Sequence, residues 1–308
     1  MKFSRRQLIA IAVTCFALLG AGLFVLLGAP KEKKVLIPEV KTPEAVPVPE
    51  VIPETKVPEP QVEVLGLSVE GREVESYTFG NGSTRLVFVG GVHGGYEWNS
   101  VLLAYELIDY LESNPESLPA NMAVTVIPDA NPDGTFKITG KEGRFMAADI
   151  PAGANGDGRL NARAVDLNRN FDCNWQSQGV WRQNPVSGGS AAFSEPESAA
   201  IRDFVLEAKP AAVIFWHSQS NAIYGSMCGG DMLAETGKIM DVYSQASGYK
   251  TVATFDGYQV TGDASDWLAS IGVPAMTVEL ATHGTTEWAR NLAGIQALFK
   301  YYGNVSAD

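Results

Sequence analysis

Short apolar runs alternate with amphipathic segments along most of the chain. Four runs rich in Val, Ile, Phe or Met are typical of strands buried on both faces: 86–89, 122–127, 211–216 and 275–280. Apolar residues spaced three or four positions apart predict helices near 102–111, 196–208, 232–247 and 286–301. A strand pair at the domain edge is predicted at 62–69 and 74–79. This alternation predicts an α/β fold with a mixed, mostly parallel central sheet and helices on both faces.

The first sixty residues follow a different pattern. The apolar run 8–29 has 22 residues, follows three basic residues and is long enough to cross a bilayer. We expect it to anchor the chain in a membrane, and a cleaved signal peptide is the alternative. Residues 30–60 hold eight of the 17 prolines, so they predict an extended linker. The predicted organisation is a signal-anchor or signal peptide at 1–29, this linker, and a folded domain at 61–308.

Charge and cysteine content restrict the partners and the compartment. The formal net charge is −12, which argues against binding to nucleic acid or to an anionic membrane surface. We expect the folded domain to be extracytoplasmic, either held at the membrane by its N-terminal segment or secreted after signal cleavage. In that compartment Cys173 and Cys228 could form a disulfide, and two buried free thiols are the alternative.

Polar side chains stand where three of the apolar runs end. His93 and Glu97 follow the first run, His217 follows the third, and Glu279 lies near the end of the fourth. Because active sites form beside the carboxyl ends of strands, these side chains should converge. Two His and a carboxylate are the ligands of hydrolytic zinc sites, which need a further carboxylate as general base. The alternatives are a turn with an incidental His and Glu, and a Glu279 paired with a core Arg.

The chain resembles the zinc metallocarboxypeptidases, the family of carboxypeptidases A and B and their bacterial relatives. The resemblance rests on six sequence blocks that occur in the order found in that family: 90–93 with 97, 131–134, 165–171, 216–218, 258–259 and 277–280. The resemblance covers nearly all of 61–308. It implies the fold of that family, one Zn²⁺, and hydrolysis of the C-terminal peptide bond of a peptide with a free C-terminus. By position, His93, Glu97 and His217 match the zinc ligands, Glu279 the general base, and Asp166 a carboxylate that orients a ligand His.

The resemblance also assigns residues to substrate binding. Asn168 and Arg169 match the pair that holds the terminal carboxylate of the substrate. Tyr258 matches the mobile tyrosine that closes over bound substrate. Arg159 best fits the arginine that stabilises the oxyanion, and Arg163 is a rival for that role. Most of these residues fall in a loop of about sixty residues, a length that usually signals function.

Two departures from the family pattern leave the substrate open. Three residues separate His93 from Glu97, where the digestive enzymes have two. Ser265 stands where those enzymes place the residue that sorts apolar from basic side chains, and a small hydroxyl predicts neither preference. We expect His283 to be a loop residue outside the site. Two alternatives remain: an amidase or peptidase acting on cell-wall peptides, and a catalytically silent surface binding module, against which the complete residue set argues.

Overall fold

The four apolar runs form four adjacent parallel strands at the centre of an eight-stranded sheet. The computed structural model describes residues 59–153 and 156–304. Its strands are β1 (Gln61–Leu67), β2 (Glu73–Gly80), β3 (Thr84–Val89), β4 (Met122–Ile127), β5 (Gln178–Trp181), β6 (Asn184–Ser187), β7 (Ala212–Ser218), β8 (Ala222–Gly225), β9 (Lys250–Val252) and β10 (Ala275–Leu280). The sheet order is β1-β2-β4-β3-β7-β10-β8-β9, with β4, β3, β7 and β10 parallel. Antiparallel pairing joins β1 to β2, β2 to β4 and β10 to β8.

Helices pack on both faces of the sheet and bury two apolar cores. They are α1 (Trp98–Ser113), α2 (Pro132–Thr139), α3 (Pro196–Ala208), α4 (Ala234–Ser247), α5 (Ala264–Ser270) and α6 (Trp288–Gly303). Successive strand residues point to opposite faces, so Leu86 and Phe88 of β3 lie in one core while Val87 and Val89 lie in the other. Helices α1, α4 and α6 contribute to the first core, and α3 and α5 to the second. Burial on both faces explains the continuous apolar runs, and the predicted fold class is confirmed.

The carboxyl ends of the central strands form the sheet edge where the candidate site lies. The parallel register of β7 and β10 pairs His217 with Glu279. Residues that are opposite each other on neighbouring strands project to the same face, so both side chains leave the sheet on one side. The 3-10 turn Gly94–Glu97 follows β3 and brings Glu97 to the same edge.

The long loop contains more regular structure than its sequence predicts. Helix α2 begins at Pro132, inside the predicted turn, and the Asn131 side chain caps it by accepting a 3.0 Å hydrogen bond from the Gly134 amide. Proline suits this first helical position because its missing N–H would have no helical partner there. Strands β5 and β6 form a separate hairpin. The short strands β8 and β9 went unpredicted because three or four residues are too few to leave a periodic pattern.

A disulfide joins Cys173 of the long loop to Cys228, which follows β8. The predicted pairing is therefore confirmed, and the alternative of two free thiols is wrong. The predicted membrane segment 8–29, and the predicted linker as far as residue 58, lie outside the described residues. Among residues 59–153 and 156–304, no helix is both long enough and apolar enough to cross a bilayer.

Candidate metal centre and substrate pocket

A glycine shapes the turn that carries the first two predicted metal ligands. His93 immediately precedes the 3-10 turn that ends at Glu97. Gly94 in this turn has a φ of +43°, and a Cβ at this position would lie 2.8 Å from the carbonyl oxygen of Gly158. Glycine is the residue that tolerates this backbone and so little space. The turn therefore accommodates the three residues that separate the histidine from the glutamate.

His93, Glu97 and His217 form a buried cluster of metal-ligand atoms. The Nδ1 atom of each histidine lies 2.9 Å from a different oxygen of the Glu97 carboxylate, and the two Nδ1 atoms are 3.1 Å apart. All three residues are buried, and their ligand atoms lie within 4.8 Å of one another. Two imidazole nitrogens and a carboxylate are donors that suit Zn²⁺. These three residues would therefore hold one zinc ion.

Asp166 and Arg159 place fixed charges around this cluster. One oxygen of Asp166 lies 3.3 Å from His93 Nε2. The other accepts hydrogen bonds from Arg159 Nε and Nη2, at 3.1 and 2.9 Å. Burial alone would raise the pKa of Asp166, but Arg159 and His93 hold that pKa well below its usual range. Burial opposes ionisation of Glu97 too, and the two neighbouring histidines outweigh it and lower its pKa.

Glu279 faces the cluster from β10, beside His217. Its Oε2 atom is buried and has no hydrogen-bond partner among the described residues. Among the described residues, Glu279 forms no ion pair with any Lys, Arg or His. The alternative of a salt bridge to a core Arg is therefore wrong. Burial, and then the nearby Glu97 carboxylate, raise the pKa of Glu279 to about 7. The arrangement offers a carboxylate that can exchange a proton near neutral pH.

The predicted carboxylate-binding pair lies in the 3-10 turn Leu167–Arg169. The Arg169 guanidinium donates from Nε and Nη2 to the Val180 carbonyl oxygen and from Nη1 to that of Asn168. Three of its five N–H groups are thus engaged, and two remain for a ligand. The Tyr258 ring lies 6.0 Å from the Arg169 Cζ atom.

The structure separates the two rival arginines. Arg159 is 4% exposed, lines the cavity beside Glu97, and has Nη1 3.7 Å from a Glu97 oxygen. The Arg163 side chain is 55% exposed and lies 3.6 Å from Glu195, outside the residues that line the cavity. The structure therefore places Arg159, and not Arg163, in the cavity beside Glu97.

One cavity of about 410 Å³ collects the predicted site residues: His93, Glu97, Arg159, Asn168, Arg169, His217, Tyr258, Ser265 and Glu279. His283 does not line this cavity, and its Nδ1 lies 2.6 Å from the Ser218 hydroxyl. The further lining residues include four charged or aromatic side chains that sequence reasoning did not assign to the site: Tyr96, Arg182, Asp263 and Asp266. A signal existed for Asp263, since Asp before a short apolar helix is a typical N-cap, but nothing local placed that helix beside the cavity.

Comparisons with known proteins agree with this geometry. The profile of the zinc carboxypeptidase family matches residues 54–298. The chain is similar to a γ-D-glutamyl-L-diamino acid endopeptidase of Lysinibacillus sphaericus, with 25% identity over 71% of this chain and 60% of that protein. It is also similar to a carboxypeptidase B of Helicoverpa zea, with 28% identity over 69% of this chain and 56% of that protein. The chain thus spans little more than half the length of these two relatives.

A solved structure of a murein-tripeptide amidase from Escherichia coli O157 shares the fold. Its TM-score is 0.56 at 21% identity, covering 81% of this chain and 94% of that one. The family match and the fold therefore agree with the buried His-Glu-His cluster and the carboxylate beside it. The chain belongs to the zinc carboxypeptidase family.

Proposed function

We propose that the chain is a zinc-dependent metallocarboxypeptidase that removes the C-terminal residue of a peptide. One observation carries the proposal: the His93–Glu97–His217 cluster and the Arg169 guanidinium open into one cavity. A planar guanidinium suits a terminal carboxylate, which it can bind through two parallel hydrogen bonds. A peptide held in this way would present its last peptide bond to the side of the cavity where Glu279 lies.

The residues of the chain divide the proposed chemistry among them. Zinc held by the cluster would supply Lewis acidity to the attacking water and the scissile carbonyl. Among the described residues, one oxygen of Glu279 has no hydrogen-bond partner, so Glu279 can take a proton from that water and return it to the leaving amine. The positive charge of Arg159 would stabilise the oxygen on which negative charge develops. Asn168 keeps one N–H of its amide for the substrate carboxylate, because Asp263 accepts the other.

Matched peptides that end in a free carboxylate or in an amide test the role of Arg169. We expect wild type to cleave the free form at least ~10-fold faster, in kcat/KM, because a hydrogen bond to a charged group contributes about 1.5–3 kcal/mol. Arg169→Ala should lose most of this preference. Arg163→Ala removes an exposed arginine of the same loop and should keep it. Equal cleavage of both forms by wild type would contradict a carboxypeptidase and favour an amidase or an internal peptidase.

A second candidate is a peptidase or amidase that acts on cell-wall peptides. It is supported by the similarity to the γ-D-glutamyl-L-diamino acid endopeptidase. Murein peptide amidase A of Escherichia coli is also 28% identical over 39% of this chain. A digest should therefore offer ordinary peptides beside cell-wall peptides that contain D-amino acids, with the products identified by mass spectrometry. Cleavage of the wall peptides alone would favour this candidate over the first.

We also propose that the domain works outside the cytoplasm, anchored through the N-terminal segment or secreted. The Cys173–Cys228 disulfide supports this location because such bonds persist in oxidising compartments. If the chain is anchored, protease added to intact cells should release a soluble domain by cutting within 30–60. If it is secreted, the domain should be found in the medium. Release that needs cell lysis would contradict both forms of the proposal.

A further inference from the structure

A second cavity lies beside the end of β4 and shares no lining residue with the cavity that collects the predicted site residues. Its volume of about 450 Å³ is within the range of small-molecule sites. We call it the β4 cavity. Its polar lining residues, among those described, are four carboxylates, one arginine and one tyrosine: Glu73, Glu75, Asp129, Glu142, Arg72 and Tyr105.

Asp129 places a buried carboxylate in the β4 cavity. It follows β4, is 8% exposed, and accepts a 3.1 Å hydrogen bond at Oδ1 from the Asn131 amide. Within residues 59–153 and 156–304, no Lys, Arg or His nitrogen lies within 4.0 Å of its carboxylate. Burial raises the pKa of Asp129 to about 7, and the neighbouring Thr135 hydroxyl and the Asn131 amide oppose that shift only in part. A buried carboxylate with so little compensation favours a positively charged partner.

Tyr105 of α1 adds a hydroxyl group without a partner to the same cavity. The residue is 5% exposed, and its hydroxyl forms no hydrogen bond with any other described residue. The oxygen is not fully enclosed by protein, so it reaches the open space of the cavity that Tyr105 lines. Burial, and then the Asp129 carboxylate, raise the pKa of Tyr105, so the two groups lie close to each other. Because a buried tyrosine hydroxyl usually finds a hydrogen-bond partner, this one points to a ligand.

The basic residues next to this pair already have carboxylate partners. Arg72 lies 2.7 Å from Asp133. Arg144, whose Cζ is 4.5 Å from the centre of the Tyr105 ring, lies 2.7 Å from Asp109. Neither guanidinium therefore replaces a cation at Asp129.

The other three carboxylates of the lining add to the negative charge. Glu142 lies 3.4 Å from Arg72 Nε, and Glu75 accepts a 3.0 Å hydrogen bond from the Tyr77 hydroxyl. Glu73 is exposed and has no ion pair within the described part of the chain. With four carboxylates against one paired arginine, the β4 cavity should attract a cation.

The spacing of these oxygens favours an organic cation over a bare metal ion. Among the described residues, only the His93–Glu97–His217 cluster brings three ligand atoms of His, Cys, Asp or Glu within 4.8 Å of one another. A primary ammonium group does not need such convergence, because its three N–H groups donate in different directions. Pro128 and Pro132 also line the cavity and offer apolar surface to an aliphatic stem.

We infer that the β4 cavity binds a primary ammonium group on an aliphatic stem through Asp129 and Tyr105. The ammonium would donate to the Asp129 carboxylate and to the Tyr105 hydroxyl oxygen, and would supply the positive charge that the described protein does not. This site is separate from the proposed peptidase site and does not depend on it. The same ammonium can come from a free amine or from a lysine side chain of another protein.

Calorimetric titration of n-pentylamine and 1-pentanol into the zinc-loaded full chain compares a cation with a neutral molecule of the same stem. We expect pentylamine to bind at least about 10-fold more tightly, because it makes a hydrogen bond between two charged groups. Asp129→Asn keeps an acceptor for the Asn131 amide and should bring this ratio close to one. Tyr105→Phe keeps the ring and should weaken pentylamine binding about 2-fold to 10-fold.

Two control variants locate the site. Asp266→Asn removes a carboxylate from the first cavity, and Asp241→Asn removes an exposed carboxylate of α4. Both should bind pentylamine as wild type does. Loss of binding in Asp266→Asn but not in Asp129→Asn would place the amine in the first cavity and overturn the inference.

Further probes separate the sources of the ammonium and the metal alternative. Binding of N-acetyl-lysine-methylamide would support a lysine side chain as ligand, whereas binding of pentylamine alone would support a free amine. Calcium binding that Asp129→Asn abolishes, without a preference for pentylamine over pentanol, would overturn the inference in favour of a metal site. Wild type that binds neither probe, or binds both equally, would also overturn it. These wild-type titrations decide the matter even if the Asp129 variant does not fold.

Discussion

Two pairs of carboxylates differ in how their charge is balanced. In the first pair, the carboxylates of Glu97 and Asp166 lie against histidine nitrogens and the Arg159 guanidinium. In the second pair, Asp263 and Asp266 line the cavity, and no Lys, Arg or His nitrogen of the described residues lies within 4.0 Å of either carboxylate. The first arrangement is preorganised for a resident metal, since its charged groups are already fixed by one another. In the second, Asp266 accepts a single hydrogen bond, from the Met227 amide, and burial together with Asp263 raises its pKa to about 7.

The largest effect on zinc content and activity should follow removal of one ligand of the His93–Glu97–His217 cluster. His217→Ala should reduce bound zinc close to background and abolish peptidase activity, because one of three protein ligands is lost. His283→Ala is the matched control, since His283 is the one histidine outside the cavity lining. Elemental analysis should find about one zinc in the control, and circular dichroism should find both variants folded. Equal zinc in His217→Ala and wild type would refute the assignment.

Replacing the proposed general base should separate chemistry from metal binding. Glu279→Gln is nearly isosteric but cannot accept the proton, so kcat should fall by at least ~10²-fold. Zinc content should stay at the wild-type value, because Glu279 is outside the three-ligand cluster. A variant with wild-type kcat on every substrate would contradict the proposed mechanism, whereas loss of zinc would make Glu279 a ligand instead.

A smaller effect on zinc affinity is expected from Asp166, whose carboxylate contacts His93 on the ring nitrogen that faces away from Glu97. Asp166→Asn removes the charge beside His93 Nε2 and weakens the contact with Arg159. Zinc affinity should fall about 10-fold to 100-fold, as is usual when a group that orients a ligand is lost. Titration with a competing chelator measures this change, and Arg163→Ala serves as an exposed control from the same loop. An unchanged affinity would mean that His93 is oriented by its packing alone.

The same contrast explains how far the sequence could be read. The metal-ligand cluster and Glu279 sit on the central strands and the turn after β3. The apolar runs of those strands mark the ends where His93, His217 and Glu279 stand. The apolar runs, and the rule that active sites form beside the carboxyl ends of parallel strands, were enough to predict that these side chains meet. Arg159, Asn168 and Arg169 lie in a loop without periodicity, so their roles came from the resemblance to a family.

Asp263 and Asp266 were missed for a physical reason. They open a helix of seven residues, where acidic side chains are common for local reasons such as capping. Their importance arises from the packing of that helix beside the turn that carries Asn168, almost a hundred residues earlier in the chain. No local pattern encodes such a contact. The spacing of the first metal motif is a similar case, because only the backbone of Gly94 explains the additional residue.

The smallest effect should be a gain in stability when the negative charge of the Asp263–Asp266 pair is reduced. Burial and Asp263 raise the pKa of Asp266 from 3.8 to about 7, so the folded state binds a proton that the unfolded chain has released. Wild-type stability should therefore fall as pH rises from about 4 to about 7, and the neutral Asp266→Asn should escape this loss. In the zinc-loaded protein without substrate, we expect its Tm to exceed that of wild type by a few degrees at pH 8. The gain should be smaller at pH 5.5, where part of the loss has yet to occur.

The exposed control Asp241→Asn should show no such change with pH. The direction of the Tm change is informative, because replacing a residue that only stabilises the fold would lower the Tm of the protein. A variant that is more stable at pH 8 would show that the acidic pair costs stability in the folded protein. A Tm difference that is the same at pH 5.5 and pH 8 would mean that Asp266 titrates alike in the folded and unfolded chains. The contrast between the two carboxylate pairs would then rest on geometry alone.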